Sequence, residues 1–158
     1  MIDDNPGYDM VFSDMSEISG SKIISKSFFK HYGHNFNNDN LYESLINSFF
    51  IFLQTTLIRK KCLLELGLLN EETVCDDYDI CLKITKSRKV GFINEPLTIR
   101  TIGNNNFSRN LNLMLTNELN LLLKLYIDDK RAFIRKRISM QYFYLAYEFF
   151  KNFDLKMA

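Results

Sequence analysis

The sequence predicts an α/β domain carrying a C-terminal helical hairpin, on three observations. Helix-like and strand-like segments alternate as far as Ile102, the order that lays helices on a sheet. From Ser108 onward only helical spacing of leucines and aromatics remains. Hydrophobic residues make up 46% of the 158 and charged residues 25%, a balance that supports a real core and sets disorder aside. The boundary is placed at 107/108, giving an α/β part over 1–107 and an appendage over 108–158.

Tyr8 to Phe12 is short, apolar and β-prone and runs into Ser13-Asp14 and then Gly20, so it reads as a buried strand ending in a loop. A second strand is expected over Lys22 to Ser25. His31 to Asn40 is rich in Asn and Gly without an apolar period, which makes it a loop and a candidate mobile lid. Leu41, Leu45 and Phe49 recur every four residues and predict a helix over Leu41 to Leu53, ahead of the β-leaning Thr55 to Ile58. Lys60 to Leu66 reads as a short helix stopped by Gly67, where a positive φ is usual. Asp76 to Ser87 is helical, and Val90 to Ile93 and Leu97 to Ile102 are strands on either side of Pro96. In the appendage Leu111, Leu115, Leu122 and Leu125 share one helical face, and Ile134, Ile138, Leu145, Phe149 and Phe153 share another. Two helices therefore part near Asp128-Asp129.

A formal net charge of +1 gives no field that would call for nucleic acid or an acidic partner. Cys62, Cys75 and Cys81 are odd in number and lack CxxC spacing, against a disulfide framework or a zinc ribbon. They fit a reducing, cytoplasmic setting. The acidic start MIDDNPGYDM is no secretory leader, and no apolar run approaches the roughly 18 residues of a spanning helix, so the chain is expected to be soluble or peripheral to a membrane. The sequon Asn106-Phe107-Ser108 reads as chance.

The segment Val74-Cys75-Asp76-Asp77-Tyr78-Asp79-Ile80-Cys81-Leu82-Lys83 gathers three carboxylates at a helix start. Unsatisfied N–H groups and the helix dipole favour negative charge there, so capping is one reading and acid–base chemistry the other.

The same segment resembles the Glu-Asp-x-Asp-hydrophobic-x-hydrophobic-Arg motif of family-2 glycosyltransferases. Its flanks are similar in the same order. Thr55-Thr56-Leu57-Ile58-Arg59-Lys60, with Gly67-Leu68-Leu69-Asn70-Glu71 after it, resembles that family's strand, Arg-containing helix and Gly-x-Phe-Asp-Glu turn. Gly91-Phe92-Ile93-Asn94-Glu95-Pro96-Leu97-Thr98-Ile99-Arg100 resembles the strand, Glu-Pro-Leu turn and Tyr-Arg strand that follow. Asn5 to Asp14 looks like the segment downstream of the family's metal-binding Asp-x-Asp, and the likeness covers residues 5–108.

The resemblance implies a partial GT-A domain, the acceptor-side half of an inverting enzyme of polysaccharide or glycolipid synthesis. It implies Asp77 as the base that takes the acceptor hydroxyl's proton, Asp76 as an acceptor-binding neighbour, and Arg59 and Arg100 as substrate-contacting or structural groups. A UDP- or dTDP-linked sugar would be the donor, a carbohydrate or lipid-linked molecule the acceptor, and Mg²⁺ or Mn²⁺ the cofactor of the complete enzyme. Asp76 stands where the family usually has Glu. No Asp-x-Asp counterpart is present, since Asp3-Asp4 aligns after it, and Ile102 occupies a position where the family often has a metal-proximal His. No metal ligands are therefore assigned, and the nucleotide-binding half is expected from a second chain or from the rest of a longer one. The alternative is a non-catalytic remnant or interaction module that pairs with another glycosyltransferase chain.

Two further features carry paired readings. His31 and His34 form an HxxH, with buried thiols rather than zinc ligands expected around it. Lys130, Arg131, Arg135, Lys136 and Arg137 open a helix loaded with Phe and Tyr. That helix suits an anionic membrane surface, or a solvated cationic face opposite an aromatic core face.

Overall fold

Ten residues of unbroken strand, β1 (Met10–Ser19), form the axis of the first half of the chain. The computed structural model describes residues 2, 5–71, 73–103 and 110–157, with backbone alone over 152–157. The chain divides into two compact units, Met1–Glu71 with Asp76–Asn106, and Glu72–Cys75 with Phe107–Ala158.

In the first unit β1 pairs antiparallel with β2 (Lys22–Ser25) and β3 (Thr56–Ile58) and parallel with β4 (Val90–Thr101). The result is a mixed four-stranded sheet in an α/β unit. β3 lies against Met10 to Phe12, β2 against Glu17 to Ser19, and β4 runs the length of β1.

The break expected at Ser13-Asp14 does not occur. Ser13, Asp14 and Glu17 are buried within the strand, and buried polar groups persist where they are hydrogen-bonded. Asp14 Oδ1 accepts from the N–H groups of Met15 at 2.8 Å and Phe29 at 3.1 Å, and Oδ2 from the Ser27 hydroxyl at 2.5 Å. Ser27 in turn caps α1 (Phe28–Tyr32) by accepting from Lys30 N–H. The polar residues of the strand are thus anchors for the next helix rather than a turn signal.

The two strands expected around Pro96 are one. Opposite Ser13 and Asp14 the register jumps from Ile93 to Pro96, so Asn94 and Glu95 form an irregularity that absorbs the missing proline N–H. The helix expected over Leu41 to Leu53 is α2 (Leu41–Asn47) alone, because Ser48 turns extended. Phe49, Phe50 and Phe52 leave the helix for ring contacts with Tyr78, Phe29 and Phe28 respectively. The Tyr78 hydroxyl donates to the Leu45 carbonyl at 3.0 Å and approaches that of Ile46 at 3.3 Å, meeting carbonyls left open at the end of α2.

The loop after α1 makes contacts at both ends. His34 stacks on Phe28 at 5.3 Å and lies 4.8 Å from Phe50. The Asn38 side-chain amide donates to the Val90 carbonyl at 2.8 Å and accepts from its N–H at 3.1 Å.

Helix α3 (Lys60–Glu65) ends where Gly67 was expected to stop it, with φ 86° there. Leu68 N–H donates to the Leu63 carbonyl at 2.8 Å, the six-to-one bond of a Schellman motif. Leu68 itself sits at φ 67°, the one described non-glycine residue with positive φ. Such a residue costs roughly 1–2 kcal/mol relative to an unstrained conformation. Leu68→Gly is expected to stabilise the chain by about 1 kcal/mol, read as a higher urea midpoint at unchanged slope.

In the second unit α5 (Leu111–Asp128) and α6 (Ala132–Met157) form the expected hairpin. The buried seam on α6 runs through Ile134, Ile138 and Gln141, where Gln141 donates to the Leu115 carbonyl at 3.0 Å and to Glu118 Oε2 at 3.1 Å. Arg137 pairs with the same Glu118. On the two predicted faces Leu122, Ile134 and Ile138 are buried, while Phe149 is 66% exposed and Leu111 46%. The side chain of Phe153 lies outside the described residues.

Candidate functional site

Helix α4 (Asp76–Ser87) begins and ends where the sequence predicts, with Asp76, Asp77 and Asp79 in its first turn. Asp76 Oδ1 accepts from Asp77 N–H at 3.0 Å and Asp77 Oδ1 from Tyr78 N–H at 2.8 Å. Each of these two carboxylates thus satisfies an open N–H group of the first turn.

The three acids then diverge. Asp79 is buried, with Oδ2 2.7 Å from Lys83 Nζ one turn on, so it is engaged within the helix. Asp77 is half-buried with no ion-pair partner among the described residues, and its carboxyl is pushed above the ordinary carboxylate range. Burial is the first cause, the Tyr78 N–H bond pulls it back, and the like charge of Asp76 pushes it up. Like charge and the N–H groups of the helix start act in opposite directions on this carboxyl, and burial decides the sign. A carboxyl held partly out of water with a raised proton affinity is suited to accepting a proton.

Arg59 and Arg100 are not brought to this pair. Arg59 Nε donates to the Tyr8 carbonyl at 2.8 Å and Nη2 to that of Ile2 at 2.5 Å, tying the N-terminal segment to the start of α3. Arg100 Nη1 lies 3.6 Å from Glu17 Oε1, with its guanidinium 5.0 Å from the Phe52 ring centre. Of the four predicted site residues, only Asp76 and Asp77 share a locus.

Glu17 is the group that sequence reasoning missed. It is 1% exposed, and its Oε2 finds no hydrogen-bond partner among the described residues. Burial first, and then the Glu17 carboxylate, raise the nearby Tyr32 phenol. Its pairing emerges only with the register of β1 and β4, which sets Glu17 opposite Arg100, opposite charges at directly paired positions.

The HxxH motif is divided between two environments. His31 packs edge-on to Tyr32 at 4.6 Å, while burial among Phe28 and Phe50 holds His34 below its ordinary value. Because the folded state disfavours His34's proton, its contribution to stability is complete above pH ~6.5 and falls as the pH drops toward its lowered folded value. Melting measured from pH 7.5 to pH 5.5 is expected to show this loss, and His34→Phe to flatten it.

Cys62, Cys75 and Cys81 are all buried, and burial raises the thiols of Cys62 and, further, Cys81. Among the described residues no group of three or more His, Cys, Asp or Glu is placed to hold a metal ion. Asp3-Asp4 lies outside them. A cavity of about 220 Å³ is lined by residues of β1, β3 and β4, including Ser13, Thr56 and Thr98, and a second of about 440 Å³ by Asn5–Tyr8, Asn38, Asp39 and Lys89. None of the four predicted residues lines either.

The chain matches no protein-family model and no curated protein. No helix of the described residues is long and apolar enough to cross a membrane.

Proposed function

We propose that these residues supply the acceptor-side half of an inverting, nucleotide-sugar-dependent glycosyltransferase, with Asp77 as general base and Asp76 beside it for the acceptor. The observation that carries the reading is Asp77 itself, a half-buried carboxyl with raised proton affinity in the first turn of α4. In the reaction the acceptor hydroxyl gives its proton to Asp77 as its oxygen bonds to the anomeric carbon. The nucleoside diphosphate departs with the electron pair of the broken bond. The parallel β1–β4 pair, with antiparallel β3 on the other side of β1, is compatible with a partial GT-A sheet. The donor site belongs to a nucleotide-binding half outside these 158 residues, which would also bring the divalent cation.

A non-catalytic pairing module is the second reading, favoured by apolar side chains left open on the sheet, Leu57, Leu97 and Ile99 among them. Calorimetric titration with UDP and Mn²⁺ separates the two. Binding that appears only when a nucleotide-binding chain is added, followed by sugar transfer, supports the split enzyme. Binding by this chain alone overturns the placement of the donor site. Absence of binding in both arms leaves the pairing module.

A further inference from the structure

We infer that α6 docks on an anionic lipid surface. Over residues 138–150 the helix reads ISMQYFYLAYEFF, with Glu148 as its single charge. Its seam toward α5 accounts for Ile138 and Gln141, yet Tyr142, Phe143, Tyr147, Phe149 and Phe150 are 52–67% exposed and Tyr144 is 42% exposed. Aromatic side chains bury about 150–250 Å² each, so these rings present a patch at or beyond the several hundred Å² at which an exposed apolar surface marks a binding site.

The choice of occupant follows from arc and charge. At ~100° per residue the rings spread over more than half the helix circumference. A partner helix covers a stripe of roughly 100°, whereas a bilayer interface receives the whole exposed side of a helix lying in it. Lys130, Arg135 and Lys136 in the preceding turns and Lys151 just after are exposed, and none has a carboxylate partner among the described residues. Arg131 and Arg137, by contrast, are held by Asp129 and Glu118. A second copy would set this cationic helix against itself in either orientation, with Glu148 and Asp154 as its two acids, while an anionic headgroup layer complements it throughout. Thirteen residues span ~20 Å, short of the ~30 Å hydrocarbon layer, so the helix lies on the surface.

The test is co-sedimentation of the full chain with phosphatidylcholine vesicles, with and without phosphatidylglycerol at roughly one part in four. Binding to the anionic vesicles alone, weakened by salt, is expected. Arg135→Gln with Lys136→Gln is expected to weaken it roughly thirtyfold, and Phe143→Ser with Phe150→Ser to abolish it. All four positions are exposed, and circular dichroism verifies that the helices persist. No sedimentation with anionic vesicles, or full binding by both variants, overturns the inference. A dimer in solution that the Phe143→Ser, Phe150→Ser pair turns into a monomer, without vesicle binding, assigns the face to a second copy.

Discussion

Replacing Asp77 by asparagine is expected to remove sugar transfer and, at neutral pH, to raise the melting temperature of the chain. The first effect follows from losing the base, a step worth ~10²–10⁴-fold, and is read in the assembly that supports transfer. The second follows from linkage. A carboxyl whose folded value is raised stabilises the fold fully below its unfolded value, and that contribution is lost as pH rises through the folded value. At pH 7 the wild type therefore carries an unfavourable buried charge that asparagine lacks, while an amide oxygen can still accept from Tyr78 N–H. Capping alone predicts the opposite sign, because asparagine loses a favourable dipole interaction of about 0.3–1 kcal/mol at the helix start. A melting temperature that falls in Asp77→Asn would reduce this carboxylate to a cap.

Arg100→Ala is expected to destabilise the first unit by about 3–5 kcal/mol, because it strands a buried carboxylate. Glu17 is almost fully enclosed, Arg100 is its cation, and the Phe52 ring lies under the guanidinium. For a chain of this length that corresponds to a fall in melting temperature on the order of 10 °C. Adding Glu17→Gln should recover much of it, since the neutral amide removes the stranded charge. An unchanged melting temperature in Arg100→Ala with weakened acceptor binding would return this arginine to the substrate.

Where local pattern and tertiary demand agree, the sequence could be read. Helix α4, strands β2 and β3 and the glycine stop of α3 lie where capping acids, β-branched residues and Gly67 indicate. Strand β1 was cut short because Ser13 and Asp14 look like turn residues; only the later chain shows that Asp14 is the anchor of α1. Helix α2 was overextended because Phe49 keeps a helical spacing while its ring is claimed by Tyr78. At the candidate site the acids of α4 were legible, but the sign of Asp77's shift depends on burial, and the partners of Arg59 and Arg100 depend on long-range pairing.

The Asn38 amide that grips both backbone groups of Val90 acts as a one-residue imitation strand. A strand's N–H and C=O at one residue point to the same side, so this grip closes the start of β4 on the side away from its partner. Further along the same strand Pro96 has no N–H to offer. An open, regular strand border invites another polypeptide to zip onto it; here the border is stoppered at its entrance and interrupted midway. Fibre-like growth through β4 is thereby discouraged by two side chains with no part in the proposed chemistry.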